Sequence, residues 1–138
     1  MIAYSDSSVV VAWLLRQPGA IEYWKEYQRV VASDLLRVEL MRALDQLRIT
    51  RALTDEELAR MVYEANAFLG ACEIVAVDKP VLDRAAAPFA TVVRTLDAVH
   101  LSTALLWIDH QRRPLMFLTV DRQLAAAAIA SGLEVRPR

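Results

Sequence analysis

Twice in this chain a short apolar run stops at an aspartate and a helical pattern begins at once. Ile2-Ala-Tyr4 leads through Ser5 to Asp6, and Val9, Val10, Ala12, Trp13 and Leu14 follow at helical spacing. Towards the other end, Leu115-Met-Phe-Leu-Thr-Val120 runs into Asp121 and a second helical stretch. Short apolar runs of this kind read as buried strands. Polar groups at the carboxyl end of a strand, just ahead of a helix, are where open α/β sheets place their ligand-binding side chains. The pattern predicts an α/β fold with a mainly parallel central sheet of four to five strands, covered by helices on both faces.

The remaining elements fit between these two. Gln17-Pro-Gly19 breaks the first helix, and a helix over about 20–28 carries Ile21, Trp24 and Tyr27 at helical spacing. Val30-Val-Ala32 is a short strand, after which Ser33 or Asp34 can cap a long helix through Ile49. Thr54-Asp-Glu-Glu57 is a capping box opening a helix to about Leu69, ahead of Gly70. Cys72 to Val77 reads as a strand ending at Asp78, and Pro80 suits the first turn of a helix through about Ala87. Pro88 to Val93 forms an irregular joint, Asp97 to Ile108 a helix, and His110 to Pro114 a basic loop. Gly132 stops the last helix before a strand at Leu133–Val135. With no linker and no internal repeat, residues 1–138 read as one domain.

Composition narrows the class. A chain 56% hydrophobic and 24% charged is globular rather than disordered. The longest mostly apolar helical run, Ala98 to Ile108, falls well short of the ~20 residues that span a bilayer. Cys72 is the single cysteine, so neither an intrachain disulfide nor a cysteine-built zinc site can form, and a cytoplasmic protein is expected. A net charge of −1 says little and argues only mildly against a dedicated DNA-coating surface. All but two of the sixteen basic residues are arginine, which suits phosphate or carboxylate contacts but also suits simple codon bias.

Glu39 carries the most information. On a helical wheel at about 100° per residue it falls between Leu35 and Ala43, on the apolar side of its helix. A carboxylate there needs a partner, either an arginine in a buried salt bridge or a metal ion. Asp6, Asp97 and Asp121 each have a capping alternative, because aspartate at a helix start accepts backbone N–H bonds. Taken together, several carboxylates at one sheet edge repel each other unless a cation compensates. Hard oxygen donors without cysteine or paired histidine point to Mg²⁺ or Mn²⁺ and to phosphoryl chemistry.

Four segments carry a family resemblance: Tyr4-Ser-Asp6-Ser-Ser8; Glu39 within Leu35-Leu-Arg-Val-Glu-Leu-Met-Arg-Ala43; Arg94-Thr-Leu-Asp-Ala-Val-His-Leu-Ser-Thr-Ala104; and Leu118-Thr-Val-Asp-Arg-Gln-Leu124. In this order and over essentially the whole chain, they resemble PIN-domain ribonucleases, and more narrowly the VapC toxins of bacterial toxin–antitoxin pairs. The resemblance implies a PIN-like three-layer α/β/α sandwich. It also implies a Mg²⁺- or Mn²⁺-dependent endoribonuclease that hydrolyses phosphodiester bonds in structured RNA with a metal-activated water, leaving 5′-phosphate and 3′-hydroxyl ends. Asp6, Glu39, Asp97 and Asp121 match the family's four acids, with Asp6, Asp97 and Asp121 the expected metal ligands. Ser8 and Thr119 match its small hydroxyl positions and would orient those carboxylates. Arg94 and Arg122 adjoin acids and are candidates for RNA phosphate or for pairing with Glu39. A VapB-type antitoxin and a homodimer are the implied protein partners, and no membrane is involved.

Other residues have plainer readings. His100, three positions after Asp97 on an apolar helix, reads as a satisfied core residue, and His110 as exposed. Asp78 reads as a helix cap, although it would be the phospho-acceptor in a receiver-like domain. Trp13, Trp24, Trp107, Tyr23 and Tyr27 read as core or dimer contacts rather than base-stacking platforms. A PIN-like fold kept only as an RNA- or partner-binding module is the remaining alternative.

Overall fold

Side chains alternate along the strands and divide between two cores. In a computed structural model covering residues 1–50 and 52–137, Ala3, Val30, Ala32, Met116 and Leu118 enter one apolar cluster. Their neighbours Ile2, Tyr4, Val31, Leu115 and Phe117 enter another. This is the period-two pattern of a sheet buried on both faces. The side chain of Trp24 lies outside the described residues, and so does the expectation placed on it.

The strands are β1 (Ile2–Ser5), β2 (Arg29–Ser33), β3 (Glu73–Val75), β4 (Met116–Leu118) and β5 (Glu134–Arg136). They form one sheet in the order β3-β2-β1-β4-β5, and every pairing is parallel. The helices are α1 (Ser7–Leu14), α2 (Tyr23–Glu26), α3 (Leu35–Ile49), α4 (Asp55–Ala71), α5 (Lys79–Ala86), α6 (Thr95–Gln111) and α7 (Arg122–Ala130). α1, α3 and α4 cover one face through residues such as Val10, Leu36, Leu40 and Phe68. α6 and α7 cover the other through Leu101, Ala104, Trp107 and Leu124. The expected three-layer α/β/α sandwich therefore forms, with a five-stranded sheet.

Several boundaries differ from the sequence reading. α2 is one turn rather than a helix over about 20–28, because Tyr27 is already extended. Gly70 lies inside α4, which continues to Ala71. α6 starts at Thr95, so Asp97 sits within its first turn and does not cap it. It ends at Gln111, where Arg112 takes a left-handed conformation with φ of 54°. Other local signals behave as expected. Thr54 and Glu57 form the capping box of α4. Ser33 Oγ, not Asp34, accepts the Leu35 N–H at 3.2 Å. Asp78 caps α5, accepting the Val81 N–H at 3.2 Å. Tyr23, Tyr27 and Trp107 are buried, as core residues should be.

The stacked pair Tyr4–Phe117, with ring centroids 5.2 Å apart, joins the two central strands β1 and β4. Phe117 is fully buried. Phe117→Ala should lower the free energy of unfolding by about 3–5 kcal/mol, measured by urea titration. Val92→Ala, at a side chain 73% exposed, should stay within about 0.5 kcal/mol of wild type.

Candidate active site

The strand order changes direction at β1. Its first neighbour in sequence, β2, lies on one side, and β4 lies on the other. Ligands in open α/β sheets bind in the crevice outside the strand carboxyl ends at such a switch point. Asp6 follows β1 there, and its backbone N–H reaches Leu118 O across the gap at 3.2 Å. The Asp6 side chain is only 4% exposed and is surrounded by donors. Oδ1 accepts Ser8 N–H at 3.0 Å, Ser8 Oγ–H at 2.7 Å and Val9 N–H at 3.4 Å. Oδ2 accepts Thr119 Oγ–H at 2.6 Å. Burial pushes this carboxyl above its ordinary range, and the hydroxyls of Thr119 and Ser8 pull it partly back.

Thr119 also accepts the Asp121 N–H at 3.1 Å, while Val120 N–H donates to Ser8 Oγ at 3.0 Å. Ser8 and Thr119 thus hold the Asp6 carboxylate and the turn that carries Asp121. Asp121 Oδ1 caps α7 through Leu124 N–H at 2.9 Å. Its other oxygen meets Arg94, whose Nη2 lies 2.5 Å from Asp121 Oδ2 and 3.2 Å from Asp97 Oδ2. A single guanidinium therefore bridges two of the four acids. Burial raises the Asp97 carboxyl, and the nearby Asp121 charge raises it further against the pull of Arg94.

Glu39 is held differently. Its wheel position was right, since the side chain is mostly buried at 18% exposure. Its partner is not an arginine, so both the arginine salt bridge and the pairing with Arg94 or Arg122 give way. His100 Nε2 bonds Glu39 Oε1 instead, and Ser7 Oγ–H reaches Glu39 Oε2 at 3.5 Å. His100 Nδ1 lies 2.6 Å from the Tyr4 hydroxyl, so His100 is a satisfied core histidine. Sequence reasoning missed Tyr4 and Ser7, whose parts depend on where His100 and Glu39 arrive from distant elements. Arg122 is exposed and makes no ion pair among the described residues.

All four acids reach the same sheet edge, but not one cage. Among the described residues, no three Asp, Glu, His or Cys side chains stand close enough to hold an ion as they are arranged here. The donor set still fits a hard divalent cation, because it offers only carboxylate and hydroxyl oxygens. A cationic group, that of Arg94, already lies between Asp97 and Asp121. The Arg94 side chain is 65% exposed, which leaves it room to withdraw.

The acids carry a stability cost. A carboxyl raised in the folded state contributes stability below its unfolded pKa, and loses that contribution as pH rises through the folded value. Charged Asp97 at neutral pH therefore opposes folding. In chelator-treated protein, Asp97→Asn should raise Tm, with Arg94 keeping Asp121. Calorimetry showing a lower Tm would contradict this balance.

Comparison with known proteins agrees with this fold. The family model described as PIN domain matches residues 3–130. Ribonuclease VapC46 of Mycobacterium tuberculosis is 35% identical over 137 residues, covering 96% of this chain and 94% of that protein. In fold, the chain is similar to VapBC-5 from Mycobacterium tuberculosis, with TM-score 0.64, 18% identity, and 97% and 96% of the two chains covered. It is equally similar to VapBC2 from Rickettsia felis bound to a promoter DNA fragment, with TM-score 0.64, 12% identity, and 99% and 98% covered. The β3-β2-β1-β4-β5 order differs from the 2-1-3-4-5 order of receiver-like domains, and Asp78 serves as a cap. This chain belongs to the PIN-domain family and, within it, to the VapC ribonucleases.

Proposed function

We propose that this VapC-type ribonuclease is a Mg²⁺- or Mn²⁺-dependent endonuclease acting on single-stranded loops of structured RNA such as tRNA or rRNA. The observation that carries the metal reading is the shared guanidinium: a cationic group, that of Arg94, already lies between Asp97 and Asp121. Asp6, Asp97 and Asp121 would hold the ion, with Ser8 and Thr119 keeping Asp6 oriented. A bound divalent ion supplies Lewis acidity, lowering the pKa of water and offsetting charge on the scissile phosphate. Glu39 Oε2, whose one hydrogen bond among the described residues is the long Ser7 contact, is the oxygen left to accept a proton from the attacking water. Arg94, once withdrawn from the carboxylates, can take RNA phosphate together with exposed Arg122. Loops are the expected substrate because unpaired bases are the ones a protein surface can read.

The fold relatives described as VapBC assemblies support a VapB-type antitoxin as partner, which would inhibit by covering the acidic edge. A homodimer through the α3–α4 layer, where Val38, Ile49 and Tyr63 are exposed, completes the reading, with the cytoplasm as the setting. A catalytically silent module is favoured by one observation, that no three carboxylates among the described residues form a ready cage. Calorimetric titration with Mn²⁺ that gave no heat of binding would bring that alternative forward.

The purified chain, incubated with labelled structured RNA and Mn²⁺, should cleave it. Asp6→Asn and Asp97→Asn should slow cleavage on the order of 10³-fold, about 4 kcal/mol of barrier, with unchanged circular dichroism. Full activity in either variant, or undiminished cleavage in EDTA, would sink the metal-dependent reading.

A further inference from the structure

One polar chain runs through the apolar core to the acidic edge. Tyr4 is fully buried, and its hydroxyl lies 2.6 Å from His100 Nδ1. His100 is 1% exposed and bonds Glu39 Oε1 through Nε2. Burying a phenol and an imidazole costs free energy unless each polar atom is paired. Apolar side chains of similar size would fill the same space at less cost. The direction of the chain follows from its ends. A carboxylate only accepts hydrogen bonds, so the proton facing Glu39 sits on Nε2. Nδ1 is then the nitrogen without a proton, so the Tyr4 O–H donates to it. The ring is fixed in one tautomer and one orientation, with Glu39 at its outer end.

We propose that His100, backed by Tyr4, is a positioning residue for Glu39. It holds Oε1 against the core and leaves Oε2, whose one hydrogen bond among the described residues is the long contact from Ser7 Oγ at 3.5 Å, as the oxygen that takes a proton. This rests on the proposed role of Glu39 in RNA cleavage. Mutating residues that orient an acting group typically costs ~10–100-fold in activity or metal affinity.

Steady-state cleavage of RNA by wild type, His100→Ala, His100→Gln and Glu39→Gln tests it, with thermal unfolding of each variant measured in parallel. His100→Ala should lower kcat by ~10–100-fold and leave KM for RNA unchanged. His100→Gln, whose amide can present an N–H near the former Nε2 position, should recover most of that loss. The double variant Glu39→Gln/His100→Ala should be no slower than Glu39→Gln alone. Equal impairment of the Ala and Gln variants in step with lost stability, or wild-type kcat in His100→Ala, would overturn the positioning role. A second readout needs no activity. ¹⁵N-histidine NMR should show a His100 Nε2–H proton protected from solvent exchange, with a resonance that moves in Glu39→Gln and in Tyr4→Phe. A proton on Nδ1 alone, or an Nε2–H signal unaffected by Glu39→Gln, would overturn the hydrogen-bonded chain. Inert wild-type protein would count against the nuclease reading, while the NMR result would still decide the Tyr4–His100–Glu39 linkage.

Discussion

The buried carboxylate of Asp6 ties the end of β1 to α1 and to the turn that follows β4. Its oxygens collect donors from the first turn of α1 and from Thr119 beyond β4. Thr119 in turn holds the Asp121 backbone, so the end of β1, the start of α1 and the start of α7 share one set of hydrogen bonds. Such bonds to an ionised group are roughly twice as strong as neutral ones. They also oppose the desolvation that raises the Asp6 carboxyl. The switch point of the sheet is thereby a rigid corner, and the other acids are arranged around it.

Negative charge at that corner is the molecule's main electrostatic problem, and the four carboxylates meet it in different ways. Asp6 relies on neutral donors, Glu39 on the imidazole of His100, and Asp97 and Asp121 on the guanidinium they share. The last solution is the most easily exchanged, since Arg94 is largely exposed while Asp6 and His100 are not. Stability lost to carboxylate crowding is a common cost of sites that act on charged substrates. Here it gives a physical reason why a divalent cation would be welcome at this edge.

Much of this architecture was readable in the residues, because the informative signals are local. A three-residue apolar run followed by Asp and a helix places Asp6 without any distant contact, and Thr54 with Glu57 marks the start of α4 by itself. The helical wheel put Glu39 on the buried face, yet could not name its partner, which lies 61 positions away. The same limit hid the Arg94 bridge, where Asp97 is three residues from the arginine but Asp121 is 27 away. Gly70 misled as a helix stop, because packing of Met61, Ala65 and Phe68 carries α4 past a glycine that costs about 1 kcal/mol. In each case tertiary packing decided what spacing left open.

The claim that these carboxylates make one cation site is tested most directly by anomalous diffraction from crystals of the wild-type chain equilibrated with Mn²⁺. The expected map has a peak ligated by Asp6, Asp97 and Asp121, with the Arg94 guanidinium withdrawn from between the two aspartates. No peak at that edge under saturating Mn²⁺, with Arg94 still bridging Asp97 and Asp121, would contradict it.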